Sequence, residues 1–279
     1  MEKAEDERKH IVLIHGVCHG AWCWYKVKTQ LKMAGHQVTA LDMAASGINT
    51  RSIQDVRTMA DYSQPLLEFM ENLPPNKKVV LVGHSQGGMN ISLAMEKFPE
   101  KISVAVFLTA FMPDTVNPRS HVIEQKFINQ GINHSYPFQL FARILPAEWM
   151  DTLFTKQNCP SDPEQIISFG AQCMKQRLYQ QSPVEDLELA MMLIRPGSTY
   201  LHDLSRDEKF TAEAYGSVKR VFVVCEEDLI IPKEFQHWMI TNYGTKIDIS
   251  VIPNADHMAM FSAPEEVVKC ILEAEGKYA

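Results

Sequence analysis

No apolar run in this chain approaches the ~20 residues that a membrane-spanning helix requires, so no membrane partner is expected. Positive charge is in deficit. Lys and Arg number 27 against 34 Asp and Glu, a formal net charge of −7. No basic cluster offsets that balance, so a nucleic-acid partner is not expected either. Cysteine is sparse and scattered: Cys18, Cys23, Cys159, Cys173, Cys225 and Cys270 form no CxxC pair and no Cys/His group at zinc spacing. The sequence therefore predicts no metal site, and the thiols read as small buried hydrophobes in a reducing compartment. The N-terminal run Met1 to Lys9 is mostly charged and lacks the apolar centre of a secretory signal, which points to a cytoplasmic setting. Internal repeats and low-complexity stretches are also missing.

What is present is an ordinary globular composition, 46% hydrophobic and 22% charged over 279 residues. Apolar β-branched runs alternate with helical patterns. Strands are expected at His10–Ile14, His36–Leu41, Lys78–Val82, Ile102–Thr109, Val218–Val224 and Lys246–Ile252, with helices at Ala21–Ala34, Met59–Leu73 and Gly88–Phe98. Such alternation predicts a mostly parallel sheet with helices on both faces. Between about Pro113 and Tyr215 the rhythm breaks and helical patterns dominate, among them Pro183–Ile194. A connection of that length is far longer than a sheet crossover needs. Residues 113–215 are therefore expected to form a helical cap inserted in a core of 1–112 and 216–279.

The chemistry centres on Gly83-His84-Ser85-Gln86-Gly87. A Gly-x-Ser-x-Gly pentapeptide recurs by chance, so its context decides. Here a strand precedes it and a helix follows, the setting of a nucleophile elbow. A serine hydroxyl needs a histidine base, and the histidine needs a carboxylate to fix its tautomer. The strand ending at Val224 runs into Cys225-Glu226-Glu227-Asp228, and the last strand ends before Asp256-His257-Met258. Carboxyl ends of parallel strands converge at one sheet edge. Ser85, Asp228 and His257 are the expected triad, with Glu226 and Glu227 as competing acids and Asp256 read as a loop or cap residue. Backbone N–H groups of Val17, in the loop His15–Gly20, and of Gln86 are the expected oxyanion donors. His84 is expected to help shape the pocket.

Several stretches together resemble one plant group. They are His15-Gly16-Val17-Cys18-His19-Gly20-Ala21-Trp22, Ala45-Ser46-Gly47-Ile48, Gly83–Gly88, Tyr215–Lys219, Pro232–Gln236 and Ala255-Asp256-His257-Met258. The group is the plant methylesterase and hydroxynitrile lyase family of α/β hydrolases. The resemblance covers nearly the whole chain. It implies an α/β-hydrolase fold, a cofactor-free Ser-His-Asp esterase, a small methyl-ester substrate of plant-hormone or indole-alkaloid type, and a possible homodimer. It places Gly16, His19, Trp149 and Met258 around the substrate. Hydroxynitrile lyases of the family carry Thr, Glu and Lys at the positions of Gly16, His84 and Met258; the absence of all three favours ester hydrolysis. A lyase or cyclase using the same triad, and a non-catalytic ligand-binding protein on the same fold, are the alternatives. In the cap, Phe169–Met174 and Met191-Met192 depart from the family pattern, which bears on the substrate rather than on the triad.

Overall fold

The computed structural model describes residues 8–129, 149–158, 164–243 and 247–279. His134, Cys159, Lys246 and the N-terminal residues up to Glu7 lie outside the described residues. The strands and helices follow in chain order. β1 is His10–Ile14, α1 Tyr25–Met33, β2 Gln37–Leu41, α2 Met59–Glu71, β3 Val79–His84, α3 Gly87–Lys97 and β4 Ile102–Leu108. Then come α4 (His121–Asn129), the short strands β5 (Leu153–Lys156) and β6 (Gln165–Ser168), and α5 (Val184–Leu193). β7 (Arg220–Cys225), α6 (Lys233–Tyr243), β8 (Asp248–Ile252) and α7 (Pro264–Tyr278) close the chain.

Six strands form one parallel sheet in the order β2-β1-β3-β4-β7-β8. The apolar runs explain the order of burial. β3 and β7 are buried at every residue, as strands covered on both faces must be. β8 is an edge strand and alternates, leaving Ile249 and Val251 half exposed. Helix α2 begins with a capping box in which Thr58 and Asp61 satisfy each other's backbone N–H groups.

The strand order reverses between β1 and β3. The chain first steps outward from β1 to β2, then returns to β1's other side. Loops leaving β1 and β3 therefore diverge and open a crevice at the carboxyl edge, the usual ligand position in an open α/β sheet.

Between β4 and β7 the chain leaves the sheet altogether. The described part of this segment is not wholly helical. β5 and β6 form a two-stranded antiparallel hairpin, Leu153 opposite Ser168 and Lys156 opposite Gln165, that the sequence reading missed. Each strand is only four residues long, too short for a periodicity of two to stand out. Met174–Leu178 forms a π-helical turn. No described helix is long and apolar enough to cross a membrane.

Candidate active site

Ser85 follows β3 directly and takes a left-handed backbone, φ 54°. A non-glycine residue there is strained and must be held. Two ties hold it: the Gly88 N–H donates to the Ser85 carbonyl at 3.1 Å, and the Phe111 N–H, just past β4, donates to the same oxygen at 3.0 Å. The neighbouring glycines serve close backbone approach. A Cβ on Gly88 would lie 2.1 Å from the Phe111 carbonyl oxygen, and one on Gly87 would lie 2.7 Å from that of Ile14.

The acid loop is equally fixed. Gln236, buried on α6, accepts from the Cys225 N–H and donates to the Cys225 and Ile231 carbonyls. That clamp brackets Asp228. Asp228 Oδ1 accepts from the Ile230 and Ile231 N–H groups at 2.7 and 2.8 Å. Oδ2 accepts from the Thr109 hydroxyl and from His257 Nδ1, the latter at 2.7 Å. Four donors saturate a buried carboxylate, which is what keeping its charge away from water requires. Thr109 is a functional contact that the sequence reading missed; it sits one residue past β4, with φ 35° aiming it across the edge.

His257 Nε2 lies 3.1 Å from Ser85 Oγ. With Nδ1–H given to Asp228, Nε2 presents its lone pair to the Ser85 hydroxyl. Ser85, Asp228 and His257 are thus brought together as one hydrogen-bonded line. Glu226 and Glu227 remain at the surface side of the loop. Asp256 is turned to other work: it accepts from the Gln181 N–H, the Ser182 and Ser262 hydroxyls and the Met258 N–H. Burial nonetheless pushes its carboxyl above the ordinary range.

Val17 and Gln86 both line the cavity over Ser85. Neither amide N–H donates to an acceptor among the described residues. Gly16 lets their loops meet: a Cβ there would lie 2.9 Å from Ser85 Cβ and 3.1 Å from His84 Nδ1.

Three further histidines surround this centre, and burial lowers the pKa of each. His15 donates through Nδ1 to the Gly16 carbonyl and accepts at Nε2 from the Met43 N–H. His84 donates through Nε2 to the His257 carbonyl at 2.7 Å and is held well below its ordinary range. His19, pushed down to about 3, donates through Nδ1 to the Val17 carbonyl and accepts from the Tyr179 hydroxyl at 2.8 Å. Tyr179, another residue the sequence reading missed, directly follows the π-helical turn and ties the inserted segment to the loop His15–Gly20.

The cavity itself is apolar above the triad. Phe111, Ile123, Trp149, Phe154, Ile167, Phe169, Leu178 and Ile230 line it, together with Gly16, His19, His84 and Lys126. Trp149 stacks on Phe169 at 6.1 Å between ring centres and meets Phe154 edge-on at 5.8 Å. Met258 is not among the lining residues, which corrects that expectation. Its amide donates to Asp256 and its side chain is fully buried in the core cluster. Lys126 is the unexpected lining residue. On an amphipathic helix of a single sequence, a lysine reads as solvated.

This fold and this serine line define an α/β hydrolase with a roofed apolar cavity, and the comparisons agree. The Alpha/beta hydrolase family matches residues 11–269. The chain belongs to that family, within its plant methylesterase group. It is 48% identical to Methylesterase 3 of Arabidopsis thaliana over 278 residues, 99% of this chain and 100% of the relative. It is 49% identical to Salicylic acid-binding protein 2 of Nicotiana tabacum, over 98% and 99% of the two chains. Polyneuridine aldehyde esterase of Rauvolfia serpentina is 47% identical over 96% of each chain. A crystal structure of polyneuridine aldehyde esterase superposes with a TM-score of 0.88 at 45% identity, covering 96% of this chain and 100% of that one.

Proposed function

We propose that this protein is a serine carboxylesterase for small methyl esters of plant-hormone or indole-alkaloid type. The observation that carries the reading is the line Asp228–His257–Ser85 opening into an apolar cavity beside two available amides. Ser85 Oγ attacks the ester carbonyl as its proton passes to His257 Nε2. Asp228 holds the resulting imidazolium, and the Val17 and Gln86 N–H groups hold the oxyanion. His257 returns the proton to the leaving oxygen, so methanol departs. Water then repeats the sequence on the acyl-enzyme and frees the acid. Where the acyl group carries a carbonyl β to the carboxyl, the product acid loses carbon dioxide without further help from the protein.

Residues 113–215 act in this reading as a cap inserted in a core of 1–112 and 216–279, supplying the aromatic walls of the pocket. The described cysteines, Cys18, Cys23, Cys173, Cys225 and Cys270, are free and buried, which supports a reducing, cytoplasmic setting.

The test is methanol release from a panel of methyl esters, compared between the wild-type protein and Ser85→Ala. Loss of the nucleophile should lower turnover by orders of magnitude. A fall of less than about tenfold would contradict the covalent route. Turnover without methanol would favour a lyase or cyclase, and an inert protein with bound ligand a receptor.

A further inference from the structure

The amides of Val17 and Gln86 belong to different loops, one after β1 and one at the elbow after β3. The β1–β3 pairing ends at Ile14 and Gly83, before either residue is reached. One segment of the insertion, residues 195–198, touches both loops. The Arg195 N–H donates to the Cys18 carbonyl at 2.9 Å. Gly197 lies so close to the first loop that a Cβ there would be 2.8 Å from Val17 Cγ2 and 3.0 Å from the Cys18 nitrogen. Ile167 on β6 braces Gly197 by exchanging both backbone hydrogen bonds with it, at 2.7 and 3.0 Å. The Ser198 carbonyl accepts from Gln86 Nε2 at 2.7 Å, and both residues are buried.

The two loops differ in how firmly their own backbone holds them. The elbow is tied by the Gly88 and Phe111 amides. Within His15–Gly20 the backbone bond is long, from the His19 N–H to the Gly16 carbonyl at 3.4 Å, and Cys18 takes a left-handed φ of 65°. Such a conformation persists only where the surroundings impose it. Resting on the esterase reading, we propose that the Gln86 side chain is a positioning residue for the Val17 N–H. The elbow is the fixed end. Gln86 Nε2 holds the Ser198 carbonyl, which seats residues 195–198 against Val17 and Cys18. The Val17 amide is thereby kept at the spacing from the Gln86 amide that an ester oxygen needs as it becomes anionic. A donor held in advance acts on transition-state charge, so its displacement lowers kcat and leaves KM nearly unchanged.

Gln86→Met keeps the side-chain length and the backbone N–H but removes the side-chain donor. It should lower kcat for methyl-ester hydrolysis by at least about tenfold, short of the loss from deleting an oxyanion donor outright, with KM within about twofold. Inhibition by a trifluoromethyl ketone, whose hemiketal oxyanion on Ser85 occupies the same place, should weaken by the same factor. Backbone hydrogen exchange in the peptide carrying His15–Gly20 should accelerate. Gly197→Ala, whose Cβ would press on Val17, should reproduce the loss of kcat and of inhibition. An unchanged kcat, a loss confined to KM, or a fall in kcat with inhibition and exchange unmoved would overturn the assignment and leave the esterase reading intact. A wild-type protein that neither hydrolyses methyl esters nor binds the ketone, while exchange in the loop still responds to Gln86→Met, would retain the link from Gln86 to the Val17 loop and remove the esterase.

Discussion

Ser85 and Asp228 sit on turns clamped at the sheet edge, whereas Trp149, Phe169 and Lys126 belong to an excursion that leaves the sheet between β4 and β7. The elbow is fixed by the Gly88 and Phe111 amides and the acid loop by Gln236. The inserted segment depends on latches. Arg195 donates to the carbonyls of Gly47, Asn49 and Arg51. Asp186 accepts from Tyr25 and Lys26 on α1, and Asp256 accepts from Gln181 and Ser182. Yet the two regions are not independent. The loop carrying the Val17 amide is gripped by the insertion through Tyr179 on His19, through the Cys18 carbonyl on the Arg195 N–H, and through Cys18 Sγ on the Ile167 carbonyl. Ser85, Asp228 and His257 thus belong to the sheet edge, while the loop of Val17 is shared between sheet and insertion.

Asp228→Asn should break the sheet-borne side most severely. The geometry survives but the His257 tautomer is no longer fixed, and kcat for methyl-ester hydrolysis should fall by about 10⁴. Steady-state kinetics with KM unchanged would check it. Arg195→Met removes charge-assisted bonds to three carbonyls and should destabilise the fold by about 2 kcal/mol, read by urea denaturation. If the insertion were only loosely attached, the transition would not move. Tyr179→Phe tests the shared loop. It deletes the donor to His19 and should lower kcat by about tenfold while KM changes little, since the oxyanion amide acts on transition-state charge. A change confined to KM would make Tyr179 a mere wall. A further effect is pH-linked. The unfolded His19 imidazole takes a proton below its ordinary value near 6.5, whereas the folded one stays neutral until about 3. The unfolded state therefore binds more protons between those limits, and stability falls as pH drops through that window. His19→Gln should make the acid limb shallower, seen in denaturation midpoints between pH 6 and 4.

The same contrast governs what one sequence discloses. β1, β3, β4 and β7 are read from unbroken apolar runs, because strands buried on both faces have no other composition. Ser85, Asp228 and His257 are read from chain order plus the convergence of strand ends. Legibility ends where contacts join distant segments without a pattern. Thr109 looks like the last residue of a strand until its hydroxyl is seen on Asp228. Tyr179 and Lys126 carry no local mark of their partners at His19 and Trp149. Met258 was misplaced because adjacency to His257 in sequence says nothing of direction. Its amide caps onto Asp256, and the side chain turns into the core.

The central claim, that Ser85 is the nucleophile of a two-step ester cleavage, is tested most directly by trapping the first step. The protein is mixed with excess p-nitrophenyl acetate, quenched with acid within the first turnovers and digested for peptide mass spectrometry. A Ser85 nucleophile should give a burst of p-nitrophenol close to one equivalent and a single acetyl group on the peptide bearing Ser85, both absent in Ser85→Ala. Turnover with no acetylated peptide, or with the acetyl group on another residue, would contradict it.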